Sequence, residues 1–130
     1  MIQIKNLDFK YEYELILKNI NLNIADSSYI AIIGANGSGK TTLAKHLNAL
    51  LLPTKGSVTI DGIDTKKDQF NVRKNVGFVF QNPEDQLVHS IVEEDIAFGL
   101  ENIGIETEEM KNKVNQTMKE MQIEDLAKRM

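Results

Sequence analysis

The chain has 130 residues and a formal net charge of −4, and 42% of its residues are hydrophobic. This length matches one ordinary domain. The mildly acidic balance argues against a general nucleic-acid-binding surface, and because cysteine is absent, the chain has neither disulfides nor thiolate metal sites. Nowhere do about 18 apolar residues run together, so the sequence predicts no segment that crosses a bilayer.

Alternation of apolar and polar residues near the N-terminus predicts two half-buried strands. The alternating apolar positions are Ile2, Ile4, Leu7, Ile20, Leu22 and Ile24. Residues 11–14, which read Tyr-Glu-Tyr-Glu, lie between the two strands and are interpreted as their connection. We therefore expect residues 1–28 to form an antiparallel β portion.

An apolar run, a glycine-rich loop and a helical pattern follow in direct succession. Residues 29–33 predict a buried strand, residues 34–42 read Gly-Ala-Asn-Gly-Ser-Gly-Lys-Thr-Thr, and residues 42–51 predict a helix. The pattern Gly-x-x-x-x-Gly-Lys-Thr is typical of a phosphate-binding loop, whose backbone N–H groups surround an anion at a helix N-terminus. In such a loop Lys40 reaches the β- and γ-phosphates and the Thr41 hydroxyl binds Mg²⁺. The sequence thus predicts binding of a nucleoside triphosphate.

Turn residues and a further apolar run continue this pattern. Residues 53–56 and 61–62 predict turns on either side of a strand at residues 57–60. Residues 75–80 predict another buried strand. We expect residues 29–82 to form a nucleotide-binding α/β unit.

From residue 83 onward the apolar spacing becomes helical. Ser90 and Glu93 have the spacing of a capping box at the start of a helix. A second helix is expected from about Glu106 to Gln122, and a short one over residues 123–128. We interpret the apolar stripe of the second helix as core, since methionine packs adaptably. That stripe comprises Met110, Val114, Met118 and Met121. His46 and His89 are isolated, so we interpret both as packing or surface residues.

Three segments in this order resemble the nucleotide-binding domain of ABC transporters: the phosphate-binding loop, residues 53–62, and residues 79–83, which read Val-Phe-Gln-Asn-Pro. Residues 81–86 and 92–102 look like the ATPase subunits of energy-coupling factor transporters, which import vitamins and cobalt or nickel ions. The resemblance implies an α/β P-loop NTPase fold. The chain would hold its N-terminal half: the antiparallel β portion, the α/β unit and the start of a helical subdomain over residues 83–130, with an incomplete core sheet.

The resemblance also implies ATP and Mg²⁺ as cofactors and assigns roles to individual residues. Tyr11 matches the aromatic residue that stacks on adenine, although a tyrosine merely packed on a hairpin is the alternative, and Tyr13 is easily confused with it. Gln81 matches the glutamine that contacts Mg²⁺ and the attacking water, which makes Gln81 and Lys40 the expected catalytic residues; a strand-ending polar residue is the alternative for Gln81. The residues that match the phosphate cradle are Asn36, Gly37, Ser38, Gly39, Lys40, Thr41 and Thr42.

The implied partners are a second ATPase subunit in a head-to-tail dimer and the transmembrane coupling subunit, contacted from Gln81 to Asn102. No nucleic acid is expected. Glu93, Glu94 and Asp95 have two open interpretations: they oppose the helix dipole, or they meet basic side chains of the transmembrane subunit. The expected location is the cytoplasmic face of the membrane, held there through that partner.

Three parts of the family's catalytic machinery are absent from these 130 residues. They are the Leu-Ser-Gly-Gly-Gln signature, an apolar strand ending in Asp-Glu, and the switch histidine. We therefore expect the N-terminal half of a longer ATPase, cut before the signature, that binds ATP without hydrolysing it. A nucleotide-binding module without turnover and an ATPase of another importer class are the alternatives. Chromosome and DNA-repair ATPases are disfavoured because long heptad repeats are missing.

Overall fold

The computed structural model describes residues 1–130 except for the side chain of Pro83. The chain separates into two units, Met1–Phe78 and Val79–Met130. Among the described residues, the first unit holds a four-stranded sheet and two helices, and the second holds two helices and two short 3₁₀ helices. No helix within the described chain has the length and apolar content needed to cross a bilayer.

The sheet of the first unit is antiparallel throughout. Its strands are β1 (Ile2–Tyr11), β2 (Glu14–Ile24), β3 (Lys55–Ile60) and β4 (Ile63–Asp64), in the spatial order β2-β1-β3-β4. The alternation predicted for the N-terminal strands is confirmed, because their inward residues supply much of the core. The buried core residues are Ile4, Leu7, Phe9, Leu17, Ala49, Val58, Ile60 and Val72.

Two helices belong to this unit, α1 (Lys40–Leu47) and α2 (Gln69–Asn75). The first begins two residues before the predicted start and ends four residues before the predicted end. It ends early because Ala49 adopts a left-handed conformation with φ of 55° and the Leu51 N–H donates to the Lys45 carbonyl at 3.0 Å, which closes a wide turn.

The sequence analysis missed α2, although the chain carries a signal for it. The Asp68 carboxylate caps the helix by accepting the backbone N–H of Asn71 at 3.1 Å and its side-chain amide at 2.6 Å. These hydrogen bonds, the side-chain one above all, lower the pKa of Asp68. Val72 then anchors the helix in the core.

Residues 29–33 and 75–80 do not form the predicted buried strands. In the first segment Tyr29 and Ile33 are almost fully exposed; in the second, Asn75 ends α2 and Val79 is 85% exposed. A strand requires a neighbour that accepts and donates its backbone hydrogen bonds. The apolar composition was read correctly, but among the described residues no strand pairs with either segment.

The second unit contains α3 (Val92–Asn102) and α4 (Thr107–Glu120), with 3₁₀ helices at Pro83–Gln86 and Glu124–Leu126. The predicted second helix is confirmed. Its stripe is core only in the middle, where Val114 and Met118 are buried, because Met121 lies beyond the helix and is exposed. The short helix expected over residues 123–128 is reduced to one 3₁₀ turn.

The predicted capping box at Ser90 is wrong. The N–H groups of Val92 and Glu93, at the start of α3, donate instead to the carbonyl oxygens of Arg129 and Ala127 at 3.2 and 3.1 Å. A distant backbone segment thus satisfies the helix N-terminus, which local sequence spacing does not reveal.

Candidate phosphate-binding site

The glycine-rich loop connects the exposed segment 29–33 to α1. The Ser38 N–H donates to the Ala35 carbonyl at 3.2 Å, which turns the chain back on itself. Gly37 and Gly39 have φ of 79° and 88°, a region that residues with a Cβ rarely adopt. The loop therefore has positive φ at these two glycines but not at Gly34.

A Cβ atom would not fit at two of the loop glycines. At Gly34 it would lie 2.7 Å from the Ser38 Oγ, and at Gly39 it would lie 3.0 Å from the Leu17 Cδ2 of β2. Glycine at position 34 thus avoids a close contact with the Ser38 side chain. At Gly39 the other end of the loop packs closely against the Leu17 side chain of the sheet.

The start of α1 supplies donors and a positive dipole end. The hydrogen bond that opens the helix runs from the Leu43 N–H to the Gly39 carbonyl at 2.8 Å. The N–H groups of Lys40, Thr41 and Thr42 come before it and have no partner within the helix. The first turn carries no acidic side chain to compete for them. These groups suit an anion such as a phosphate.

Lys40 folds over its own loop. Its Nζ donates to the carbonyl oxygens of Gly34 and Ala35 at 2.9 and 2.7 Å. The ammonium therefore stands at the loop, where it adds a positive charge to the N–H groups of the helix start. A bound phosphate would replace these two neutral acceptors with a charged one.

Tyr11 is the last residue of β1 and shares this unit with the loop. Its ring meets Phe9 edge-on, with centroids 4.8 Å apart and an interplanar angle of 85°, and 45% of the residue remains exposed. Tyr13 lies in the following turn and is 97% exposed. The structure thus gives Tyr11 both a contact with a buried ring and an accessible surface, which a stacking platform needs.

Gln81 and the acidic cluster belong to the second unit. Gln81 is exposed, just before the 3₁₀ helix, and its role at a nucleotide stays a prediction. The Asp95 carboxylate accepts the N–H of His89 at 2.9 Å and that of the preceding residue at 2.8 Å, which lowers the pKa of Asp95. Glu93 pairs with Lys128, whereas Glu94 is exposed, 4.0 Å from the His89 ring.

Of the two roles left open for His46, packing or surface, the structure shows packing. It is fully buried, and its ring meets Phe9 with centroids 4.6 Å apart and an interplanar angle of 79°. Its Nδ1 lies 2.7 Å from the Thr42 carbonyl; since a carbonyl only accepts, Nδ1 carries the hydrogen. Burial lowers the pKa of His46, and the Thr42 and Leu52 backbones oppose that shift.

The sequence analysis named neither Phe9 nor any contact between Phe9 and His46. Phe9 has the correct parity in β1, two residues after Leu7, so its inward direction was available from the pattern. Its contact with α1 was not, because strand spacing does not say which helix residue faces it. Among the described residues, no group of three His, Asp or Glu side chains is arranged to hold a metal ion.

Comparison with known proteins decides the family. A family model described as ABC transporter matches residues 17–130. The chain belongs to the ABC transporter family. It is 47% identical over 126 residues to the energy-coupling factor transporter ATP-binding protein EcfA1 of Clostridium novyi (strain NT), an alignment that covers 92% of this chain and 45% of that protein. The resemblance inferred from the three sequence segments is confirmed.

Solved ABC structures share the fold. CbiO1 of Clostridium perfringens, described as part of the ABC transporter complex cbiONQ, matches with a TM-score of 0.81 and 32% identity over 98% of this chain and 52% of that one. The ATP-binding cassette MJ0796, in a dimeric post-hydrolysis state bound to ADP and Pi, gives a TM-score of 0.80 and 30% identity over 99% and 61%. The expected fold, an ABC ATPase N-terminal half, is confirmed. The chain spans about half the length of the curated relatives it matches.

Proposed function

We propose that this chain binds MgATP through its phosphate loop, as part of the ATP-hydrolysing subunit of an energy-coupling factor importer. The observation that carries the proposal is the loop itself: Gly37 and Gly39 with positive φ, Lys40 over the loop, and the start of α1 behind it. Membership of the ABC transporter family supports a nucleoside triphosphate over other phosphate ligands.

Different residues bind different parts of the ligand. The backbone from Asn36 to Thr42 surrounds the phosphates, and Lys40 balances their charge. Thr41 and Gln81 would hold Mg²⁺, which would supply positive charge opposite the phosphate oxygens, and Gln81 would orient the attacking water in the whole protein. Tyr11 stacks on the adenine ring.

The whole protein assembles with two partners in this proposal. One is a second ATPase subunit, a choice supported by the dimeric state of MJ0796. The other is a transmembrane coupling subunit that binds between Gln81 and Asn102 and holds the protein at the cytoplasmic face of the membrane. The name of the Clostridium novyi relative supports a transporter assembly of the energy-coupling factor class. The transported solute is then a vitamin or a transition-metal ion.

Titration calorimetry of the 130-residue chain with ATP and with inorganic tripolyphosphate, both with Mg²⁺, tests the loop. Lys40→Ala removes a charge-assisted contact, so both affinities should fall roughly ten- to a hundred-fold. Lys45→Ala is the matched control, because Lys45 lies in the last turn of the same helix. Equal affinities in Lys40→Ala and the parent chain would exclude this loop as the phosphate site.

A further inference from the structure

We propose that Phe9 and His46 are positioning residues for the nucleobase: they hold the Tyr11 ring in the orientation that stacks on adenine. This inference rests on the proposed function, because it requires that Tyr11 contacts the base of the bound nucleotide. It adds two residues to the nucleotide site that touch neither phosphate nor base.

Phe9 is the centre of a three-ring cluster in the first unit. Its ring meets Tyr11 with centroids 4.8 Å apart at 85° and His46 with centroids 4.6 Å apart at 79°. Both are edge-to-face pairs within the range of distances that aromatic rings favour. Since Phe9 is only 7% exposed, it has little freedom to leave either partner.

His46 anchors this cluster to the helix that carries the phosphate loop. It is fully buried, and its Nδ1–H binds the carbonyl of Thr42, the last residue of the loop motif. That bond spans one turn of α1 and fixes the imidazole plane. The Phe9 ring therefore packs against a group whose position is set by the start of the helix.

Tyr11 lies at the partly exposed tip of the β1–β2 hairpin. It is the last residue of β1, beside a two-residue turn in which Glu12 has φ of 48°, and 45% of it is exposed. A tyrosine at a hairpin tip otherwise samples several rotamers, and ordering one on binding costs free energy. Contact with Phe9 reduces that cost in advance, so the base meets a ring that is already oriented.

The competing explanation is that Phe9 and His46 only fill the core. A core role would lower stability and would affect every ligand of the site equally. If Phe9 and His46 are positioning residues, their substitution weakens the binding of ATP, which has a base. The binding of tripolyphosphate, which has none, is then unchanged. The ratio of the ATP and tripolyphosphate affinities therefore separates the two explanations.

The experiment measures both affinities by calorimetry for the parent chain, Tyr11→Ala, Phe9→Leu, His46→Phe and Leu7→Val. We expect Tyr11→Ala to lower the affinity for ATP about five- to a hundred-fold, from the loss of stacking on one base. Phe9→Leu should lower the affinity for ATP about two- to tenfold and leave the affinity for tripolyphosphate unchanged. His46→Phe keeps a ring but loses the bond to Thr42, so a smaller loss is expected. Leu7→Val, a buried substitution on the same strand, should leave the ratio unchanged.

Two further variants keep every result decisive. Phe9→Leu added to Tyr11→Ala should cause no further loss of ATP affinity, and Phe9→Met replaces Phe9→Leu if circular dichroism shows that the latter is unfolded. An unchanged ratio in the folded Phe9 variant, with a lowered ratio in Tyr11→Ala, would overturn this inference alone. Unchanged ATP affinity in Tyr11→Ala would overturn both the inference and the base-stacking role, while the Lys40→Ala result judges the phosphate loop separately.

Discussion

The Lys40 ammonium group donates hydrogen bonds to the carbonyl oxygens of Gly34 and Ala35. A phosphate therefore competes with the loop for the same ammonium group. The exchange is favourable because an ionised phosphate attracts the ammonium group more strongly than a neutral carbonyl oxygen does. The net gain is smaller than the full strength of the new contact, since two existing bonds are given up. This exchange places the expected effect of Lys40→Ala toward the lower part of its range.

His46 makes stability depend on pH. Its pKa is lowered by burial, so the unfolded chain, in which a histidine has a pKa of about 6.5, takes up a proton that the folded chain refuses. The stabilisation is complete above about pH 7 and is lost as the pH falls below 6.5 toward the folded-state pKa. We expect the free energy of unfolding, measured by urea titration, to decrease between pH 7 and pH 5.

Substitution of His46 isolates this effect. His46→Gln should reduce the slope of unfolding free energy against pH in that window. Asp68 and Asp95 also have lowered pKa values, but as carboxylates they act below about pH 4. The same slope in His46→Gln and the parent chain would contradict the assignment.

At this scale the sequence predicted the phosphate loop, and the structure gives it positive φ at Gly37 and Gly39 but not at Gly34. For His46 the sequence left packing and surface roles open, because its partners come from β1 and from a carbonyl one helical turn away. The failed capping box at Ser90 has the same cause. The N–H groups at the start of α3 donate to backbone carbonyls some 35 residues downstream, and local sequence spacing carries no information about such distant partners.

Among the secondary-structure elements, β3 depends on one glycine. Gly56 has φ of 75°, and a Cβ there would lie 2.3 Å from the carbonyl oxygens of both Lys5 and Asn6. The pairing of β1 with β3 is irregular at this point, with a register shift between Lys5 and Asp8. We expect Gly56→Ala to destabilise the chain by about 2–5 kcal/mol in urea unfolding, from backbone strain and overpacking together.

Gly99 provides the matched control. It lies inside α3 with ordinary helical φ, and a Cβ there would meet nothing within 4 Å. Gly99→Ala should stabilise the chain by about 0.5–1 kcal/mol, because alanine loses less conformational freedom in a helix. A neutral Gly56→Ala would contradict the close approach of β1 and β3.

The sequence predicted β1, β2 and β3, missed the two-residue β4, and predicted strands at residues 29–33 and 75–80 that do not form. The hairpin of β1 and β2 follows from alternation, and α4 from its apolar stripe. Residues 29–33 have a stronger apolar run than either strand, yet they form none, because an apolar run reports a tendency to be buried and not the presence of a neighbour. α2 was missed because its seven residues contain too few helical turns for an apolar repeat to be recognised.

For the molecule as a whole, we predict that the 130-residue chain binds ATP but shows no appreciable hydrolysis. Its loop positions and neutralises the triphosphate, while catalysis also needs an oriented water and charge stabilisation in the transition state. The sequence has no apolar strand ending in Asp-Glu and no signature segment to supply them. Such groups lower the activation barrier by several kcal/mol. The hydrolysis rate of this chain should therefore be at least about 1,000-fold lower than that of an ATPase that has them.

Steady-state phosphate release from the purified chain is the measurement, with Lys40→Ala as the control for contaminating ATPases. Turnover near one per second that disappears in Lys40→Ala would mean that these residues are sufficient for catalysis. Release that persists in Lys40→Ala would come from a contaminant.

The boundary between Phe78 and Val79 has a consequence for recombination among relatives. Each unit is one uninterrupted stretch of chain with its own buried residues, so a single crossover at this boundary keeps the strand pairs β1–β2, β1–β3 and β3–β4 and the helix pair α3–α4 together. Chimaeras that join residues 1–78 of this chain to the corresponding downstream part of a relative should therefore preserve the phosphate loop. Exchange at this point would let lineages vary the helical unit, including Gln81, while they inherit the phosphate loop and Tyr11 unchanged.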